Sequence, residues 1–119
     1  MVQYSSARLD ASFAALSDPT RRGVLEQLRG ADASITDLAD TFQMTLTGMK
    51  KHVGVLERAG LVTTRKVGRV RTCRLGSSAL DEEAAWIEQY RRVWETRFNQ
   101  LDVIVEELMT REKTDERDR

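Results

Sequence analysis

The chain has 119 residues, with 19 lysines and arginines against 19 acids and a formal net charge of zero. That length fits one domain with a modest core, and 40% hydrophobic and 32% charged residues are ordinary for a folded globular protein. No apolar run approaches the roughly 18 residues a membrane span needs, the first ten residues lack the apolar stretch of a signal peptide, and one cysteine closes no internal disulfide, so a cytoplasmic protein without a membrane partner is expected.

The charge is unevenly placed. Gln43 to Leu75 holds eight cations and only Glu57 as an acid, a net +7, whereas Met1 to Phe42 is −2 and Gly76 to Arg119 is −5. Counterion release rewards local cation density, so a neutral total does not argue against a polyanionic partner.

In chain order, Leu9, Phe13 and Leu16 recur at helical spacing and stop at Ser17-Asp18-Pro19. Asp18 can cap a second helix with Pro19 in its first position, running to about Arg29 over Val24, Leu25 and Leu28. After the break at Gly30 to Ala33, Ser34-Ile35-Thr36-Asp37 forms a capping box for a short helix burying Ile35, Leu38, Ala39 and Phe42. A tight turn at Gln43-Met44 follows.

Thr45 can cap a fourth helix whose Met49, Val53 and Leu56 make one inward stripe. The opposite stripe, Thr47, Lys51, Gly54 and Arg58 with Lys50 alongside, is small or cationic and carries no acid. Gly60, followed by Leu61, sits where a left-handed helix stop belongs. Val62 to Lys66 and Val70 to Leu75 then predict two strands joined through Val67-Gly68-Arg69, a hairpin carrying Arg65, Lys66, Arg69, Arg71 and Arg74.

Ser78 to Asp81 predicts a capping box that opens the longest helix, from 78 to about Thr110. Residues 111–119 are polar enough to predict a disordered tail. In that helix Ile87, Trp94, Leu101 and Leu108 repeat every seven residues, Tyr90 and Ile104 interleave with Arg97 breaking their row, and Trp86, Val93, Phe98 and Val105 widen the stripe. Either the stripe crosses the protein's own core or it packs on a second copy. Both tryptophans and a tyrosine in one patch favour an interface.

The predicted fold is mainly α with a small β-hairpin, a winged helix-turn-helix in the order α-α-α-α-β-β-α. One domain covers 1–110, with the helix-turn-helix at 34–59, the wing at 62–75 and the last helix at 78–110. At this point the residues resemble a known family. LSDPTRRGVLEQL (Leu16 to Leu28), ITDLADTF (Ile35 to Phe42) and MTLTGMKKHVGVLERAGLV (Met44 to Val62) are similar to the arsenic-repressor-type (ArsR) bacterial transcription regulators, with the likeness spanning about Leu9 to Leu108.

The resemblance implies a cytoplasmic, nucleoid-associated homodimer that binds a pseudo-palindromic operator on double-stranded DNA and represses transcription. Dimerisation would use the first and last helices: Leu9, Phe13, Trp86, Ile87, Tyr90, Trp94, Phe98, Leu101, Ile104, Val105 and Leu108. The helix from Thr45 would be the recognition helix, with two copies about 34 Å apart in successive major grooves. Carried onto this sequence, Thr45 and Thr47 would donate to phosphates or base edges, Gly48 would allow close backbone approach, and Lys50 and Lys51 would either meet guanine acceptors or neutralise phosphate. Ser34, Thr36 and Arg58 join that DNA-facing set. Arg65, Lys66, Arg69 and Arg71 would be wing contacts, and His52 would either touch DNA or pack beside the core stripe.

The sequence departs from the family's metal sensors. Thr36, Asp37 and Leu38 stand where those carry paired cysteines, and the only histidine, His52, lies outside the last helix. Asp102, Glu106 and Glu107 alone would make a weak oxygen site, so no metal and no cofactor are expected. Cys73 is either a redox switch, its thiolate favoured by Arg71 and Arg74, or a half-buried strand residue. The competing readings are a metal- or redox-responsive repressor and a winged-helix protein-interaction module, the second opposed by the cations on the outward face. No Gly-rich phosphate loop or nucleophile-base set predicts an enzyme. The effector, if the protein has one, would be a small molecule of a class the sequence does not name.

Overall fold

The computed structural model of the chain describes residues 3–117, and the side chains of residues 7–114. Five helices and three strands follow in the order α1 (Gln3–Leu16), α2 (Pro19–Gly30), β1 (Ala33–Ser34), α3 (Ile35–Thr41), α4 (Leu46–Arg58), β2 (Val62–Val67), β3 (Val70–Leu75) and α5 (Asp81–Arg117). The described chain divides into two compact units, with the boundary between Glu83 and Ala84.

The first unit is a winged helix-turn-helix, and local chemistry sets its joints. The Asp18 carboxylate accepts from the Arg21 N–H at 2.9 Å, with Pro19 opening α2, as the sequence predicts. Ser34 Oγ accepts from Asp37 N at 3.0 Å and Thr45 Oγ1 from Gly48 N at 3.0 Å, which starts α3 and α4 where expected. Between these helices Gln43 takes a φ of 53°, and Met44 N donates back to Ala39 O at 3.0 Å, closing the turn.

Helix α4 ends in a left-handed stop. Gly60 has φ 77°, and Leu61 N donates to Leu56 O at 3.0 Å, carrying the buried Leu61 back onto the helix it has left. The core beneath joins Val24 and Leu28 of α2, Leu38 and Ala39 of α3, and Met49, Val53 and Leu56 of α4 with Val62 and Cys73 of the sheet. Leu25 and Phe42, expected inside, are only partly buried and pack against this cluster. Ser12 of α1 is buried and donates to Ala59 O at 3.3 Å, fastening α1 to the end of α4.

The wing is an antiparallel hairpin running from Val62 opposite Leu75 to Val67 opposite Val70. Gly68, at φ 64°, supplies the positive φ at the first central position of a two-residue turn, as in type II′. The sheet holds one strand more than the predicted hairpin. Ala33 and Ser34 pair with Cys73 and Thr72, giving the order β1-β3-β2 and making β3 the central strand. Two residues are too few to show an alternating pattern, so β1 is visible only once β3 lies beside it.

The predicted Ser78 capping box is not formed. Leu80 lies at φ 70°, which no α-helix accommodates, so Gly76 to Leu80 makes turns closed by Ala79 N to Gly76 O and Asp81 N to Ser78 O, and α5 starts at Asp81. Nor does the chain unravel after Thr110. Residues 111–117 continue α5 to Arg117, because that segment lacks Gly and Pro and is made mostly of Arg, Glu and Lys, which are good helix formers. Residues 118 and 119 of the predicted tail lie outside the described residues.

In the second unit the apolar residues of α5 run from Trp86 to Met109, and Thr110 to Arg117 are all polar. The rings of Trp86 and Tyr90 meet at a tilt with centroids 4.5 Å apart, those of Trp94 and Phe98 at 5.8 Å, and Arg91 joins Glu88 and Glu95 at 2.7 Å. Ile87, Leu101, Ile104, Val105 and Leu108 are each about half exposed in the single chain, as are those aromatics. Among the described residues no helix is long and apolar enough to cross a membrane.

Candidate nucleic-acid interface

Because Met49, Val53 and Leu56 are buried, α4 must turn its other side to solvent, where Thr45, Thr47, Lys50, Lys51 and Arg58 are all exposed. Gly48 is part-buried beneath the Thr45 cap. The Thr45 oxygen accepts from Gly48 N and leaves its own hydroxyl proton free to donate outward. No acid sits in the first turn of α4, so nothing neutralises the partial positive charge of that helix end.

The wing lies beside this helix. Ile35, Thr36, Leu46 and Val70 with Lys50, Lys66, Arg69 and Arg71 line a cleft of about 350 Å³ between the start of α3, α4 and the hairpin. Thus the structure gathers Thr36, Lys50, Lys66, Arg69 and Arg71 into one concave, cationic surface. Arg65 lines a separate hollow of about 290 Å³ on another side of the sheet with Asp32 and Arg74. Ser34 is part-buried and its hydroxyl is engaged at the cap of α3.

The hairpin is held against α4 by a relay that periodicity does not reveal. Arg71 Nη1 donates to Thr64 Oγ1 at 2.9 Å, and the Thr64 hydroxyl donates to Glu57 Oε2 at 2.6 Å. Glu57, the single acid of the basic segment, therefore joins the end of α4 to both wing strands and orients one of the cations. Arg74 is turned away and meets Asp32 at 3.0 Å.

His52 does not face outward with the lysines. It is part-buried, with Nδ1 3.3 Å from Arg21 Nη1 and 3.9 Å from Asp18 Oδ2. Of the two roles open to it in the sequence, packing beside the core is the one this placement favours. The backbone N–H of Arg21 is the first cause holding the Asp18 carboxyl below its ordinary value. Burial opposes it, and the charges of His52 and Arg21 assist.

Cys73 corrects the thiolate expectation. It is fully buried in the central strand between Ala33 and Thr64, and burial, reinforced by Glu57, pushes its pKa up to about 11. Arg71 acts the other way but is outweighed, while Arg74 projects from the opposite face of β3 toward Asp32. A protonated buried thiol is a poor nucleophile. Among the described residues of the single chain no three of His, Cys, Asp and Glu gather to hold an ion, and Thr36, Asp37 and Leu38 offer no thiolate.

Comparison with known proteins agrees with this geometry. A family model described as a helix-turn-helix domain matches residues 16–65. The chain is 33% identical over 87 residues to the uncharacterized HTH-type transcriptional regulator YuzN of Bacillus subtilis, covering 66% of this chain and 95% of that protein. It is 29% identical over 75 residues to the transcriptional repressor SdpR of the same bacterium, covering 63% of this chain and 83% of that one. Among solved structures it is similar to an ArsR family transcriptional regulator, at 39% identity and a TM-score of 0.71, covering 76% of this chain and 93% of the other. An ArsR-like transcriptional regulator from a Rhodococcus species matches at 34% identity and a TM-score of 0.71, over 84% and 94% of the two chains.

Proposed function

This chain belongs to the ArsR family of DNA-binding transcriptional regulators, and from that membership we propose that it is a homodimeric repressor acting on a pseudo-palindromic operator in the bacterial cytoplasm. The observation that carries the reading is the cleft between α4 and the wing, where Lys50, Lys66, Arg69 and Arg71 converge beside an acid-free helix N-terminus. Phosphates on both strands of a duplex are the ligand such a surface suits.

Residues are assigned by position. Thr45, Thr47 and Lys51 contact the major groove from the exposed side of α4, and Gly48 allows the backbone near it. Thr36, Lys50, Lys66, Arg69 and Arg71 hold phosphates at the cleft, Arg58 adds positive potential from the exposed side of α4, and Arg65 adds it from another side of the sheet. Ser34 acts by capping α3, and His52 by bracing α4. Likeness to SdpR, a transcriptional repressor, supports repression as the outcome.

The dimer reading is supported by α5, whose aromatic and aliphatic residues stay about half exposed in one chain. A second copy laid along Trp86, Tyr90, Trp94, Phe98 and Leu101 would remove that area from water, and Leu9 and Phe13 of α1 are assigned to the dimer by the family resemblance alone. A small-molecule effector is compatible with this arrangement and is not needed for it.

Fluorescence anisotropy on the protein's own promoter region tests the proposal. Affinity should fall steeply with salt, with a log–log slope of about −5 to −9 for a dimer. Salt-independent binding, or equal affinity for random duplex, would overturn it.

A further inference from the structure

Charge alone does not explain one part of the recognition face. Leu46 occupies the first position of α4, where Pro or an acid is the usual occupant, and it remains 43% exposed. Val70 on β3 is 51% exposed, and the two line the same cleft as Lys50, Lys66, Arg69 and Arg71. Neither belongs to the buried core, so folding gains little from their being apolar. A cleft with apolar lining among four cations suits a polyanion that presents an apolar group between its charges. Duplex DNA has such a group in the major groove, and only one: the C5-methyl of thymine.

We propose that Leu46, backed by Val70, is a specificity-determining residue that reads a thymine through its C5-methyl while the surrounding cations hold the neighbouring phosphates. The inference rests on the DNA-binding reading above and adds to it a base identity. Lysine and threonine contacts to phosphate position the helix without distinguishing bases, whereas a methyl against a leucine distinguishes thymine from cytosine and from uracil. The small size of the group limits the effect. One methyl brought out of water changes affinity by about fourfold, and a two-fold dimer applies that twice.

The test uses the full-length chain and duplexes it enriches from random DNA. Each thymine of the enriched site is replaced in turn by deoxyuridine, which removes the methyl and leaves every hydrogen-bonding group. One position per half-site should lose about fourfold in affinity. Leu46→Ala should bind the thymine and uracil duplexes alike, and Leu46→Met should keep the difference. If uracil is tolerated at every position, the apolar contact is to sugar or to nothing and the inference falls, while the DNA-binding reading stands. A thymine preference that persists unchanged in Leu46→Ala also overturns it. Failure to enrich any sequence would remove the inference and the DNA-binding reading together. The uracil series on the unmodified protein is by itself able to overturn the inference, and Leu46→Met beside Leu46→Ala assigns the contact to this side chain.

Discussion

The guanidinium of Arg21 lies 3.3 Å from Nδ1 of His52, and its other nitrogens donate to the Ala15 carbonyl at 2.7 Å and the Ala14 carbonyl at 3.2 Å. One side chain from the first turn of α2 thus donates to the Ala15 carbonyl, joins Ser17 in donating to the Ala14 carbonyl at the end of α1, and reaches the middle of α4. Its five fixed donors make this possible, and a lysine has no such fork. Arg21→Ala should lower stability by about 1 to 3 kcal/mol, as loss of charge-assisted hydrogen bonds does, and Arg21→Lys should recover little of it. Urea unfolding measures both. An unchanged midpoint in either variant would mean the fork does not brace α4.

The same joint predicts an acid dependence. Asp18 titrates below the ordinary value of 3.8 in the folded chain, first because it accepts the Arg21 N–H. A depressed carboxyl contributes stability that is present above its unfolded value and is lost as pH falls through its folded value. Asp18→Asn keeps a capping side chain and removes the charge. The wild type should therefore be the more stable at pH 7, and the gap should close as the pH is taken below 3.8. A gap that is constant from pH 7 to 2.5 would assign the effect to something other than this carboxylate.

Cys73 gives the opposite sign at the alkaline end. Its pKa rises from 9.0 to about 11 on folding, so the thiol is neutral in both states below pH 9, and between 9 and 11 only the unfolded chain ionises. Stability should fall across that window by an amount that Cys73→Val removes. At pH 8 the native protein should react with an aromatic disulfide reagent only as fast as it unfolds. Rapid labelling of the folded protein would restore the redox-switch reading.

How much of this was legible in the sequence depends on the range of each interaction. Caps at Asp18, Ser34 and Thr45 and the left-handed stop at Gly60 join residues at most a few positions apart, and their chemistry can be read directly. His52 was ambiguous because its neighbours Asp18 and Arg21 come from another helix, and β1 because a two-residue strand exists only by pairing with β3. The Ser78 box looked sound, yet a local signal does not reveal that Leu80 takes a positive φ. Leu46 escaped notice for a different reason: in a helix pattern it is one more leucine, and its exposure at the cationic cleft is a property of the assembled wing.

Within the cleft, Arg69 and Lys51 should separate phosphate holding from base reading. Arg69 is exposed beside the Gly68 turn at the tip of the hairpin, and it lines the cleft. Arg69→Ala should weaken enriched and random duplexes alike and flatten the salt slope by about one unit per subunit. Lys51→Ala should cost about 1 to 3 kcal/mol on the enriched site and much less on random DNA. Equal losses on both duplexes for Lys51→Ala would reduce it to another phosphate contact.

The assembly can be tested on α5 without touching the DNA face. Trp94 is 57% exposed in the single chain and already in tilted ring contact with Phe98, so part of the ordering is in place before a partner covers the pair. A charge placed there would have to be buried unpaired, which costs several kcal/mol, more than a two-fold interface can absorb twice. Trp94→Glu should sediment as a monomer, keep its helicity, and lose operator binding, because each half-site alone contributes only part of the contact. Arg92, which pairs with Glu88 at 3.6 Å on the opposite side of the same helix, provides the control. Arg92→Ala should leave both mass and affinity unchanged, since an exposed pair of that length contributes little. A Trp94→Glu chain that remained dimeric would move the interface off α5, and a monomer that still bound the operator tightly would show that one wing and one recognition helix suffice.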